Sequence, residues 1–503
     1  MRRAADVETG RGGNGGSLPL RFRPAAALLA LAVPACLVFA LCRPAPRAAE
    51  PRVVTPRTVP AHQAEAFLDK LERETFQWFW DLADPGTRLI PDRAPTPSFS
   101  SVAAVGFGLT AYTVGAERGW VTRGQAAWRT AETLRFLVQA PQGEAPRGMT
   151  AYRGFFYHFL DMKTGERYES TELSTIDTTL LAAGALSSQS YFDGQDPVEA
   201  QIRDDADTLY RRIEWTWAQP RPPGVSMGWT PEEGFHNWNW SGYDEAMILY
   251  LLALGSPTHP IDPAAWPQWC STYVWGPFYG QEHVNFSPLF GHQYSHLWAD
   301  FRGIQDAYMR GKGIDYFENS RRATISQRAY AGANPAGWEG YGANVWGLTA
   351  CDGPLDGTLV IDGRLRSFMG YAARGASLRH VIDDGTIAPA AAAGSIAFAP
   401  EIVVPALQEM TRRWPDLRNQ YGFLDAFNPT FANATAQTQN GRLVQGVGWF
   451  DVDQLGIDQG PIVAMIENYR SGLVWRTMRK NPYVVAGLKR AGFTGGWLDT
   501  PAR

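Results

Sequence analysis

"WNWSGYDEAMILYLLALGSPTHP" occupies residues 238–260, and the reading of its middle decides the fold. From Ala246 to Leu254 every helical face is apolar. A helix with no polar face in a water-soluble domain must be packed on all sides. "SSVAAVGFGLTAYTVGA" (100–116) is of the same kind, whereas "VEAQIRDDADTLYRRIEWTW" (198–217) is amphipathic. Buried helices alternating with amphipathic ones suit two concentric rings, an all-α (α/α) toroid. Ligand sites then belong at one mouth, among the inner helix ends and their loops.

Apolar spacing predicts helices over 62–84, 101–117, 122–139, 175–192, 197–217, 243–254, 263–273, 289–309, 315–331, 399–413, 461–478 and 482–491. Strand-like stretches are few and short, as around 151–169. No Gly/Ser linker or charge block divides the chain after residue 60, so one domain is expected over 61–500. Before it, Arg21 and Arg23 precede "PAAALLALAVPACLVFAL" (24–41), and small residues and Pro follow. Residues 1–60 are therefore expected to be a signal peptide, or a membrane anchor through 24–42, plus a linker. The expected location is periplasmic or secreted, with retention at the inner membrane if the span is not cleaved. Cys270 and Cys351 allow one disulfide but no metal-type spacing.

Charged residues are 19% of the chain, the net charge is −4, and no basic stripe is present, which argues against a nucleic-acid partner. The 19 Trp, 19 Tyr and 25 Phe point elsewhere, because many lie in polar, Gly-rich stretches such as "GWTPEEGFHNWNW" (228–240) and "NPAGWEGYGANVWG" (334–347). Rings beside Asn, Asp and His can stack on the apolar faces of sugars while the polar groups bind hydroxyls; about half of the aromatics are expected to be plain core.

At the head of 246–254, Ser241 is a candidate N-cap and Asp244 falls at the capping-box position. Glu245 has no such role and continues the buried stripe of Ile248, Leu249 and Leu252. It reads either as a desolvated carboxyl that keeps its proton, as a glycosidase acid must, or as an ion-paired Glu at a helix start. A partner acid is needed. Asp177, with Glu172 just outside its helix, and Asp458, ahead of a helix begun by Pro461, are the candidates; each alone is also an ordinary dipole partner.

Metal readings fail. "DVDQLG" (451–456) opens like a calcium loop, but Leu455 and Ile462 stand at ligand slots. His292, His296 and Asp300 span two turns, long for one ion. No phosphate loop or nucleophile elbow is present, and no metal or cofactor is expected.

"STIDTTLLAAGAL" (174–186), "YDEAMILYLLALGSPTHP" (243–260), "FSPLFGHQYSHLWADFRG" (286–303), "YGANVWGLTACDGP" (341–354), "DDGTIAPAAAAGSIAFAPE" (383–401) and "GWFDVDQLGIDQGPIVAMIENYRSGLVW" (448–475) resemble, in order, the glycoamylase-like domain of glycoside hydrolase family 144 endo-β-1,2-glucanases. The resemblance covers about residues 65–495. It implies an (α/α)6 barrel and metal-free, inverting hydrolysis of β-1,2-glucan to sophorose or short sophoro-oligosaccharides. It also implies Glu245 as proton donor, with Asp177 and Asp458 on matching blocks. A retaining transglycosylase, a hydrolase of another β-glucan and a non-catalytic glycan binder are the alternatives. Expected sugar contacts are Glu172, His236, Trp238, Tyr243, Gln293, His296, Trp338, Tyr341, Asp384 and Trp449.

Overall fold

A computed structural model describes residues 61–499. The expected signal or anchor, including 24–42, lies outside the described residues. The chain divides after Pro60, and the unit described here begins at Ala61. Its helices are α1 (Ala61–Leu82), α2 (Val102–Glu117), α3 (Arg123–Gln139), α4 (Thr175–Tyr191), α5 (Pro197–Arg211), α6 (Ala246–Gly255), α7 (Ala265–Cys270), α8 (Tyr294–Trp298), α9 (Ala307–Lys312), α10 (Tyr316–Ala333), α11 (Pro389–Ala393), α12 (Pro400–Arg413), α13 (Gly456–Arg470), α14 (Leu473–Met478), α15 (Pro482–Arg490) and α16 (Gly496–Asp499). No described helix is long and apolar enough to cross a membrane.

The two kinds of helix expected from the sequence are present. All of α6 is buried, as are Val102–Gly115 of α2 and Thr175–Ser188 of α4. These helices pack side by side: α2 against α4, α4 against α6, α6 against α8, α8 against α13, and α13 against α11 and α2. Gln293, at the head of α8, donates to Ala391 O of α11 at 2.7 Å, which links the two remaining neighbours. Helices with one wet face lie outside: α1 on α2 and α13, α3 on α2 and α5, α5 on α4, α12 on α11, and α15 on α6.

Two glycine contacts let backbones approach where side chains cannot fit. A Cβ on Gly184 (α4) would lie 2.0 Å from the Gly106 carbonyl of α2, and one on Gly106 2.3 Å from Leu180 O. Gly255 and Gly487 do the same for α6 and α15, with Cβ positions 2.2 Å from Tyr483 O and 2.1 Å from Leu251 O.

Short antiparallel strands run into the inner helices at one end. Ser100–Ser101, which opens α2, pairs with Phe159–Leu160; Leu173–Ser174, which opens α4, pairs with Gly228–Thr230; Gln454–Leu455, which opens α13, pairs with Arg93–Ala94. The strand-like character of 151–169 belongs to this collar.

Several boundaries differ from the sequence reading. The expected helix 289–309 is a 3-10 turn at Leu289–His292, then α8, then α9, because Asp300 turns back to bind Arg302. Helix 197–217 stops at Arg211. Pro461 does not start its helix: α13 begins at Gly456 and Pro461 lies inside it. Ser241 is exposed and is no cap; α6 begins at Ala246, and Asp244 Oδ1 accepts from its N–H at 2.9 Å. Cys270 and Cys351 are free and buried, one beside Asp306 and the other beside Arg374, so the disulfide does not form.

Gly184→Ala should destabilise the fold by about 1–3 kcal/mol, the range for overpacking a tight core. Gly311→Ala, with open space around the added methyl, should not. Urea unfolding of the two variants checks this; a wild-type midpoint for Gly184→Ala would show that the helices can part without cost.

Candidate active site

Because the inner helices are closed on their flanks, the carboxylates of α4, α6 and α13 predicted for the site lie at the helix starts. Asp177 sits in the first turn of α4, Asp458 in the first turn of α13, and Glu245 immediately before α6. Carboxylates there face the positive ends of helix dipoles. Trp240, on the segment leading to Glu245, donates Nε1–H to Thr175 Oγ1 at the start of α4 at 2.9 Å. Tyr294, on α8, has an oxygen within electrostatic reach of Asp458, Glu245 and Asp177 at once, as well as Tyr371; burial first, and then these charges, push its phenol well above 10. The three predicted acids therefore all act electrostatically on one buried tyrosine. Asp177 and Asp458 are buried, and Glu245 is half-buried.

On the Asp177 side, the collar supplies a histidine the sequence reading missed. His158 Nδ1 lies 2.9 Å from Glu172 Oε1, and its Nε2 lies 3.6 Å from Asp177 Oδ1. Burial alone would lower the imidazole, but the charges of Asp177 and Glu172 and the Glu172 hydrogen bond overcome it and raise it to about 9. Burial likewise opposes ionisation of Glu172, yet the bond to His158 brings it to about 2, helped by His236 nearby. His158 and Glu172 are thus an ion pair at neutral pH. Asp177 also accepts the hydroxyl proton of Ser174, its own N-cap.

On the Asp458 side lies a nest of acids. Asp352 N–H donates to Asp425 Oδ2 at 2.8 Å, Arg93 pairs with Asp352 and with Asp92, and Asp451 Oδ1 accepts from Val452 and Asp453 N–H. Burial pushes Asp458 up to about 7; a hydrogen bond shared with Asp425 and the charge of Arg93 work against it, and Asp352 and Asp92 work with it. Asp425 and Asp451 are driven well above the usual carboxylate range by burial and by their acidic neighbours. Asp352, Asp425 and Asp451 each offer an oxygen within 4.8 Å of the other two, the set among the described residues with the spacing to hold a cation. Within 451–456 the two aspartates part: Asp451 belongs to that set, whereas Asp453 accepts Thr96 N–H. Nor do His292, His296 and Asp300 converge: Asp300 is committed to Arg302 and Arg479.

The predicted sugar contacts divide. Glu172 and His236 stand together at the Asp177 side, and Trp238 is exposed. Most of the others are buried in contacts with the protein itself. His296 is fully buried against Ser320 and Phe398, and Gln293 is spent on Ala391 and Ser395. Trp449 is buried in a strand with Nε1–H on Asn440 O. Tyr243 is enclosed by His292 and Tyr316. Asp384 closes a buried two-point pair with Arg374 at 2.8 Å. Trp338 and Tyr341 both donate to Asp383, and Arg366 covers the Trp338 ring at 4.2 Å.

The residues missed were His158, Asp92, Arg93, Asp352, Tyr371, Asp425 and Tyr294. All but Tyr294 lie on collar or loop segments, where spacing carries no signal; the one available cue was a lone His within the strand-like run 151–169.

A family model described as "Glycoamylase: Putative glucoamylase" matches residues 237–482. A solved structure of a Bacteroides uniformis protein of that description is 32% identical, with a TM-score of 0.74, over 87% of this chain and 99% of that one. The chain belongs to the glycoamylase-like family. A curated relative, the exo beta-1,2-glucooligosaccharide sophorohydrolase (non-reducing end) of Parabacteroides distasonis, is 29% identical over 462 residues. That match takes in 85% of this chain, which spans 58% of the relative's length. The endo-beta-1,2-glucanase of Chitinophaga pinensis, solved with sophorotriose and glucose, is 29% identical with a TM-score of 0.72, over 86% of this chain and 99% of that one. In this glycoamylase-like chain, Glu245 and Asp458 fall inside the stretch matched by the family model, whereas Asp177, His158 and Glu172 precede it.

The ion pair has a definite pH signature. His158, raised above its ordinary 6.5, adds stability in full below that pH and loses it as pH rises through about 9. Glu172, lowered from 4.5, adds stability in full above 4.5 and loses it as pH falls through about 2. The stability difference between the wild type and His158→Gln should therefore be largest from pH 4.5 to 6.5 and shrink by pH 9. Denaturant melts across that range check it; a difference independent of pH would mean the two residues are not paired.

Proposed function

We propose that this chain is a glycoside hydrolase that cleaves β-1,2-glucan to sophorose or short sophoro-oligosaccharides, with Glu245 as proton donor and Asp458 as base. The observation that carries the reading is that Glu245, Asp177 and Asp458 each stand at the start of an inner helix, all within electrostatic reach of Tyr294. The names of the Parabacteroides and Chitinophaga relatives supply the linkage.

Cleavage needs one carboxyl to protonate the leaving oxygen and another to activate water or attack carbon. A base works best with a pKa near the working pH, and Asp458, at about 7, meets that condition. Asp177, facing His158 and accepting a hydrogen bond from Ser174, is placed to accept one from a sugar hydroxyl. Inversion is the outcome if the acid and base carboxyls stand ~6.5–9.5 Å apart and retention if ~5–5.5 Å. The packing order of the inner helices supports closure into an (α/α)6 barrel, and the span 24–42 supports export, with the domain either released or held at the membrane by that segment.

Reducing-end release from linear β-1,2-glucan, set against laminarin and carboxymethylcellulose, tests the substrate; equal rates on all three would refute it. Glu245→Gln should lower kcat by about 10²–10⁴-fold, the range for losing an acid or base, with oligosaccharide binding by calorimetry retained. Near-normal turnover would remove Glu245 as the acid.

As pH falls below about 7, Asp458 takes up a proton, so kcat/KM should decline with it. An acid limb well below that pH would move the base to another carboxyl.

A further inference from the structure

Two-carboxyl chemistry makes no use of Tyr294 and Ser295, yet each holds one of the acid-bearing segments. Ser295 Oγ donates to the carbonyl of Glu245 at 3.1 Å and accepts the N–H of Ile248 at 2.9 Å. Tyr294 Oη donates to the carbonyl of Ile457 at 3.3 Å, the residue before Asp458. In an α-helix that carbonyl belongs to the N–H four residues on, and residue 461 is a proline, which has none. The tyrosine ring is fixed as well: Phe107 meets it edge-on at 5.5 Å and Phe290 lies at 5.2 Å, leaving it 4% exposed.

We propose that Tyr294–Ser295 is a positioning clamp that sets the separation of the Glu245 and Asp458 carboxyls, and that Pro461 makes it possible by leaving the Ile457 carbonyl to the tyrosine. This rests on the assignment of Glu245 and Asp458 as acid and base. With its one proton committed to Ile457, the phenol oxygen is left as an acceptor among Asp177, Glu245, Asp458 and Tyr371, a place for a sugar hydroxyl or water to donate. Burial and those charges keep the phenol neutral, so it orients groups without trading protons with them.

Two variants test the clamp on β-1,2-glucan. Tyr294→Phe removes the hydroxyl and keeps the ring. It should lower kcat by about 10²-fold, the cost of a misplaced reacting group, with KM little changed. Its acid limb should move while the groups around Asp458, namely Asp425, Asp352, Asp92, Arg93 and Tyr371, are unaltered. Pro461→Ala restores an N–H that competes for the Ile457 carbonyl. It should lower kcat in the same direction while the thermal midpoint holds or rises, because a helix interior prefers alanine. A purely structural role predicts the reverse for Pro461→Ala, a sturdier enzyme of unchanged kcat, and that result overturns the clamp even if Tyr294→Phe fails to fold. Wild-type kcat and pH profile in a folded Tyr294→Phe overturn it too. No hydrolysis by the unmodified enzyme would instead bring down the functional reading, and the clamp with it.

Discussion

A helix buried on every side can carry charge only at its ends, and the arrangement of this molecule follows from that constraint. Hydroxyls along α2 and α4 can return their protons to helix carbonyls, as Thr110 and Thr179 do, but a charged side chain there would lose water with nothing to replace it. At the N-termini the unpaired backbone N–H groups and the helix dipole offer carboxylates a partial substitute for solvent. Acids are therefore drawn to the openings of inner helices, and the collar strands gather the openings of α2, α4 and α13 at one end. A place where several carboxylates must share a poorly hydrated space is also a place where their proton affinities separate. His158 and Glu172 settle into an ion pair on one side, while Asp458 and its neighbours on the other are pushed toward holding protons.

The same constraint explains what could be read from the sequence. The apolar run 246–254 and the stretch 100–116 announced buried helices, and the amphipathic 198–217 announced an outer one, because burial imposes composition residue by residue. Asp177, Glu245 and Asp458 were legible for the same reason: each is an acid where an apolar stripe begins. His158, Asp92 and Asp425 were not, because they reach the site from short collar strands and loops whose position depends on pairings distant in sequence. Trp338 and Trp449 are buried, and Tyr341 is half-buried. A Gly-rich, polar stretch looks alike in sequence whether its rings face solvent or fold back on the protein. Here the polar edges of Trp338 and Tyr341 turn inward to Asp383. Shifted helix boundaries have local causes. The N–H that Pro461 lacks is one whose partner carbonyl is taken by a side chain from another helix, so the proline sits inside α13 without ending it.

Stability and chemistry are arranged on different parts of the same helices. The glycine contact between α2 and α4 lies along their shafts and that between α6 and α15 at the C-terminal half of α6, whereas Asp177 and Glu245 sit at the N-terminal ends of α4 and α6. Tight backbone packing along the shaft fixes where the tip can be, so the geometry of the acids is set by residues that never approach the substrate. The collar, by contrast, is built from strands of two or three residues and from loops.

The two cysteines of the domain are thiols, each enclosed in the interior, with burial raising their proton affinity and suppressing the reactive thiolate. The described segments are therefore held together by non-covalent contacts, and burial shields both thiols from exchange with external disulfides.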